Sequence, residues 1–242
     1  MKTLQCRDLS VESKLKNNLN KYLCAYKIGS GECNNLPLLN HVAKFKKPMI
    51  LSTGMNDMSS IKASVETILS HGVPLALLHC TSIYPATPET MRLGAITHLK
   101  NTFQNLEIGL SDHSLGISVS LGAVAVGANI IEKHFTKSRK WPGPDNPFSI
   151  EPHELTNLVN SSKEIWKARG GKKDILDDEK PVIDFAYACV VATKNINKGE
   201  VLSLDNIWVK RPGTGHIFAK DFENVLGKVA TIDISENTQL SQ

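Results

Sequence analysis

Glu107-Ile108-Gly109-Leu110-Ser111-Asp112-His113 is an apolar run that turns polar at its end, and Ile130-Ile131-Glu132-Lys133-His134 repeats the pattern one helix later. Working outward, three earlier runs share it: Ala25–Ile28 ends in Gly29-Ser30-Gly31-Glu32, Met49–Leu51 in Ser52-Thr53-Gly54, and Leu75–His79 is followed by Thr81-Ser82. Short apolar runs rich in β-formers predict buried strands. Helical spacing fills the intervals, as at Ile61, Val65, Ile68 and Leu69, and at Ile117, Leu121, Val124 and Ala125. Strand, returning helix and strand imply a parallel sheet with right-handed crossovers.

Polar residues at every strand end separate a barrel from a doubly wound sheet. A (β/α) barrel gathers its chemistry from many strand ends at one mouth. A doubly wound sheet concentrates it at one switch point, usually with a Gly-rich dinucleotide loop, and no G-x-G-x-x-G is present. The predicted class is therefore α/β, an incomplete TIM (β/α) barrel of five visible units where closure takes eight. Met1–Tyr22 is too short for three more units, and Met1–Leu23 reads as helical at best.

A helix is expected from Glu151 to Ala168, led by Pro152 in its first turn. The expected division is a partial barrel over 1–168, a linker over 169–184 that opens with Arg169-Gly170-Gly171-Lys172-Lys173, and a small β-rich domain over 185–242. Its predicted strands are Ala188–Ala192, Ile207–Val209 and Lys228–Ile234, separated by turns at Asn197-Lys198-Gly199-Glu200 and Pro212-Gly213-Thr214-Gly215.

Composition excludes several classes. With 41% hydrophobic and 21% charged residues over 242 positions, dominant disorder is not expected. A net charge of +4 spread along the chain argues against nucleic acid and membrane partners. Five cysteines, Cys6, Cys24, Cys33, Cys80 and Cys189, lack paired spacing, which argues against a disulfide framework and fits a reducing cytoplasm.

His113 and His134 close successive strands, so in a barrel they project toward one mouth, where two imidazoles with nearby Asp112 and water suit a divalent cation. The alternative is a pair of hydrogen-bonded rim histidines. His79, inside an apolar run, reads as a satisfied core residue. Lys27 and Ser30 with adjacent glycines suit a phosphate or carboxylate, and Ser52, Ser82 and Ser111 add neutral donors, although each serine could equally be a cap or turn residue. Glu32 is a candidate general acid or base, and Cys33 a packing residue.

The strings Tyr26-Lys27-Ile28-Gly29-Ser30-Gly31-Glu32, Leu51-Ser52-Thr53-Gly54-Met55, His79-Cys80-Thr81-Ser82-Ile83-Tyr84-Pro85, Gly109-Leu110-Ser111-Asp112-His113 and Glu132-Lys133-His134-Phe135 resemble, in order, the strand-end motifs of sialic acid synthases. Pro142-Gly143-Pro144-Asp145 follows in family order, and the tail with Lys210-Arg211-Pro212-Gly213 is similar to the family's antifreeze-like (SAF) domain. The resemblance implies an N-acetylneuraminate synthase or a truncated form of one, condensing phosphoenolpyruvate with N-acetylmannosamine or a related N-acyl sugar and water to a nonulosonic acid plus phosphate. The alternative is a catalytically inactive, ligand-binding remnant. It implies that His113 and His134 bind a divalent cation, usually Mn²⁺, and that Lys27, Ser30, Ser52, Ser82 and Ser111 hold phosphoenolpyruvate. Glu32 would move a proton or orient water, and Tyr84 and Asp145 would contact the sugar. Arg211 would reach into the site of a neighbouring subunit, making a domain-swapped homodimer. The family's additional N-terminal barrel units imply either a partner such as a separate N-terminal fragment or a chain that is an incomplete product of a split gene.

Overall fold

The structure is a computed structural model that describes residues 23–241. The helical reading of Met1–Leu23 falls on residues outside these, apart from Leu23. The chain forms two compact units, divided between Gly170 and Gly171.

In the first unit the strands β1 (Tyr26–Ile28), β2 (Met49–Ser52), β3 (Leu75–Cys80), β4 (Glu107–Asp112) and β5 (Ile130–Lys133) form one parallel sheet in chain order. The helices are α1 (Leu36–Ala43), α2 (Met58–Leu69), α3 (Pro88–Met91), α4 (Gly94–Thr102), α5 (Ser118–Ala125) and α6 (Pro152–Ala168). Their starts follow local chemistry. Asn35 and Asp57 accept the backbone N–H of Leu38 and Ser60 at 3.2 and 2.8 Å, and Glu151 forms a reciprocal capping box with Glu154 ahead of Pro152.

Alternation along the strands divides the sheet into two chemically distinct faces. Ile28, Leu51, Leu77, Ile108 and Leu110 point outward and pack against Leu39, Val42, Ile61, Val65, Ile68, Ile96 and Leu99 of the helices. The opposite face carries Lys27, Ser52, Cys80, Ser111 and Glu132, with Cys80, Ser111 and Glu132 in one register row. Gly109 lies on this inner face because nothing larger fits: a Cβ there would sit 2.3 Å from the Ile130 carbonyl oxygen and 2.6 Å from Leu78.

The sheet is curled. Flat, five strands would hold β1 and β5 roughly 19 Å apart, beyond the combined reach of a lysine and a glutamate. Yet Lys27 Nζ of β1 lies 3.2 Å from Glu132 Oε2 of β5. The polar face is therefore the concave interior of a partial barrel. The buried stripe of α5 differs from the expected Leu121, Val124 and Ala125: it is Ser120, Ala123 and Val124, because Ser120 turns inward to donate to Asp112.

The second unit holds α7 (Lys180–Ala186) and an antiparallel pair, β6 (Cys189–Ala192) with β7 (Ile207–Lys210), around Val190, Ala192, Ile196, Leu202, Ile207, Val225, Ala230 and Leu240. Lys228–Ile234 is not a strand. It makes isolated bridges at Val229 and Ile234, and the ladder breaks at the bend between them. Residues 177–186, partly within the expected linker, carry a 3-10 turn and α7.

Candidate active site

The C-terminal strand ends converge on the concave face. Ser30, in the turn after β1, accepts the Gly54 N–H at 3.0 Å, tying the first strand end to the second. Gly54 is a cradle: a Cβ there would lie 2.3 Å from Ser82 Oγ, 2.8 Å from Ser30 Oγ and 3.1 Å from Cys80 Sγ. Three strand ends thus bring two hydroxyls and a thiol around one small space. Ser52 Oγ is buried with no partner, an unsatisfied donor on the same face. Lys27 is 8% exposed and brings a buried cation. Its approach to Glu132 is a charge contact rather than an aligned hydrogen bond, since Oε2 makes none.

The two histidines meet at the adjoining strand ends, with ring centroids 5.3 Å apart and planes perpendicular. His113 Nδ1 lies 2.8 Å from the Thr81 carbonyl oxygen. A carbonyl only accepts, so the proton sits on Nδ1 and Nε2 keeps its lone pair. Burial works against a charged His113, but the Cys80 thiol, the Thr81 carbonyl and the Glu132 carboxylate outweigh it and raise its pKa. His134 is shifted the other way, mainly by burial, with Asp145 opposing and His113 adding to the shift. Its Nδ1 lies 3.4 Å from Asp145 Oδ2. Tyr84 stacks on His113 at 4.1 Å, and Phe148 lies 5.6 Å from His134, so an aromatic wall flanks the pair.

These rings fit a divalent cation. With Nδ1 of His113 turned to the Thr81 carbonyl and Nδ1 of His134 to Asp145, the two rings stand close enough that their Nε2 atoms could hold one such ion. Among the described residues no cluster of three or more His, Cys, Asp or Glu is placed to hold a metal.

The structure therefore brings together Lys27, Ser30, Ser52, Ser82, Ser111, Tyr84, His113, His134 and Asp145. Glu32 lies in the turn beside Ser30, its Oε2 accepting from Asn35 Nδ2 at 2.6 Å. Arg211 is exposed in the second unit. Asp112 is corrected: it points to the helical face, where it pairs with Lys133 at 3.0 Å, and is no neighbour of a cation at the histidines. His79 is a core residue, its Nε2 2.7 Å from the Met91 carbonyl oxygen. Cys80 and Glu132 were missed. Cys80 Sγ lies 3.8 Å from His113 Nδ1 and 4.0 Å from Ser82 Oγ. Burial raises its pKa, but contacts with His113, Ser30 and Ser111 bring it below the ordinary thiol value. The signal for both was parity, since each shares a strand face with Ser111.

A curled parallel sheet with its polar groups at the C-terminal strand ends defines a (β/α)-barrel protein whose site lies at the barrel mouth. The chain belongs to the NeuB family, which matches residues 13–174, and residues 187–242 match the SAF domain. It is 43% identical over 216 residues to the N,N'-diacetyllegionaminic acid synthase of Campylobacter jejuni, covering 88% of this chain and 64% of that one. It is 34% identical over 218 residues to the human N-acetylneuraminate-9-phosphate synthase, covering 90% and 61%. Among solved structures it is similar to the N-acetylneuraminic acid synthetase of Leptospira borgpetersenii in complex with citrate, with a TM-score of 0.63 and 40% identity over 66% of this chain and 56% of that one. The chain thus spans less than two thirds of the length of these proteins. Among the described residues no helix is long and apolar enough to cross a membrane.

Proposed function

We propose that this chain carries the phosphoenolpyruvate- and cation-binding part of a nonulosonic acid synthase. The reaction joins phosphoenolpyruvate to the aldehyde of an N-acetylmannosamine-type sugar, adds water at the enol carbon and releases phosphate by C–O cleavage. The observation that carries the reading is the convergence of Lys27, Ser30, Ser52 and Ser82 beside the His113–His134 pair inside one curled sheet.

Lys27 offsets the charge of the bound anion, and the hydroxyls of Ser30, Ser52, Ser82 and Ser111 donate to its oxygens. The unpartnered Ser52 hydroxyl supports this role, because a buried donor left without an acceptor is costly unless a ligand supplies one. A divalent cation, Mn²⁺ in this reading, held by His113 and His134 supplies Lewis acidity toward the sugar aldehyde. Glu32 orients the attacking water or moves its proton, with Asn35 fixing its carboxylate. Tyr84 and Asp145 line the sugar side of the pocket. Arg211, exposed on the SAF unit, reaches the N-acyl group in the site of a second copy, giving a homodimer in the cytoplasm. Further βα units, from a separate fragment or from contiguous sequence, close the gap between β1 and β5.

The relatives' names specify different acids, so the sugar is assigned by experiment. The protein is incubated with phosphoenolpyruvate, Mn²⁺ and, in turn, N-acetylmannosamine, its 6-phosphate or a diacetamido sugar, and products are identified by mass spectrometry. One sugar is expected to give a nine-carbon acid. Phosphoenolpyruvate binding without product from any of them would favour the ligand-binding remnant.

A further inference from the structure

Asp112 and Lys133 form a buried ion pair on the helical side of the sheet, and each immediately precedes one histidine of the pair. Asp112 Oδ2 lies 3.0 Å from Lys133 Nζ, and both side chains are almost wholly excluded from solvent. The two residues are also direct partners in the β4–β5 register. The surrounding bonds are directional. Asp112 Oδ1 accepts from the Ser114 N–H at 2.8 Å and the Ser114 hydroxyl at 2.7 Å, while Ser120 of α5 donates to Oδ2. Lys133 Nζ donates to the Ser114 carbonyl at 2.6 Å. His113 is therefore held from both sides, through Asp112 and Ser114, and His134 through Lys133.

We infer that Asp112 and Lys133 are positioning residues that set the separation of His113 and His134 and thereby tune the cation site; this rests on the cation-binding reading above. Neighbouring strand residues point to opposite faces, so with Asp112 and Lys133 anchored among the helices the imidazoles must project into the concave interior. The hydrogen bonds to Ser114 and Ser120 contribute stability, but the charge pair itself is not required for it. Replacing a buried ion pair with apolar groups of similar volume is often neutral or stabilising, because removing both charges from water is so unfavourable. What the pair adds is one defined alignment of two strand ends. A cation site needs that, since its bond lengths tolerate deviations of only about 0.2 Å.

The test separates alignment from stability. Mn²⁺ affinity is measured by electron paramagnetic resonance, and folding by thermal unfolding without metal, for the wild type, Lys133→Arg and the double variant Asp112→Leu with Lys133→Met. The double variant leaves the buried Ser114 and Ser120 donors and the Ser114 carbonyl without these partners, so it is expected to melt below the wild type, and at temperatures where it is fully folded to bind Mn²⁺ roughly 10- to 100-fold more weakly, the loss typical of removing support from ligating histidines. Lys133→Arg keeps the pair and should largely retain affinity. If the double variant does not fold, Asp112→Asn, which keeps one acceptor oxygen for Ser114 and turns an amide NH₂ toward Ser120 and Lys133 so that the ion pair is lost, takes its place with the same expected loss. Wild-type affinity in the double variant, or in Asp112→Asn where that replaces it, overturns the inference. A folded wild type that binds no Mn²⁺ overturns the cation-binding reading itself.

Discussion

Gly54→Ala fills the cradle at the candidate anion site without adding charge or a large side chain. The new Cβ would stand 2.3 Å from Ser82 Oγ and 2.8 Å from Ser30 Oγ, distances that neither oxygen can tolerate. A serine has one side-chain torsion, so relief means rotating both hydroxyls away, which also breaks the 3.0 Å bond from the Gly54 N–H to Ser30. Crowding of this kind lowers stability by about 1–3 kcal/mol. Two hydroxyl bonds to a charged ligand, at about 1.5 kcal/mol each, lose a further ~3 kcal/mol of binding. That corresponds to a dissociation constant for phosphoenolpyruvate raised about 100-fold. Calorimetric titration reads the binding and urea unfolding reads the stability. A Gly54→Ala protein that is folded and binds phosphoenolpyruvate within about threefold of the wild type would place Ser30 and Ser82 outside the anion site.

Ser52→Ala removes a buried hydroxyl that has no partner, so the melting temperature should hold or rise while phosphoenolpyruvate binding weakens; a lower melting temperature with unchanged binding would make Ser52 structural. Leu77→Ala, at a fully buried position between sheet and helices, should lose about 2–5 kcal/mol in urea unfolding; a loss below ~1 kcal/mol would contradict the assigned core. His79 gives a pH prediction. Burial depresses its folded pKa below the unfolded value, so its contribution to stability is complete above a pH of about 6.5 and declines as pH falls through the folded pKa. His79→Gln should flatten that acid limb in thermal melts; an unchanged limb would assign it to other groups.

The apolar runs were legible because each strand is buried on at least one face and bounded by turn residues. The polar ends followed directly, and Lys27, Ser52 and Ser111 lie on the concave face as the barrel reading requires. Face assignment at the ends was harder. A strand alternates with every residue, so an error of one position exchanges the two faces, and this placed Asp112 beside the histidines when it is anchored among the helices. Glu132 and Cys80 were missed for a related reason. The meeting of Glu132 with Lys27 depends on the curl of the whole sheet, which no local window of sequence contains, while that of Cys80 with His113 depends on the register of β3 against β4, which the strand parity alone does not give. The tail was misread at Lys228–Ile234 because its apolar residues alternate like a strand while its backbone pairs only at isolated points.

Phosphate release from phosphoenolpyruvate and an N-acyl sugar, followed with and without EDTA in wild type and His134→Ala, tests most directly whether the strand ends assemble a cation-dependent synthase site. Release that requires both substrates, stops with EDTA and is lost in His134→Ala is the expected result. Release indifferent to EDTA and to His134→Ala, or none from folded protein supplied with each candidate sugar and the missing barrel units, would contradict it.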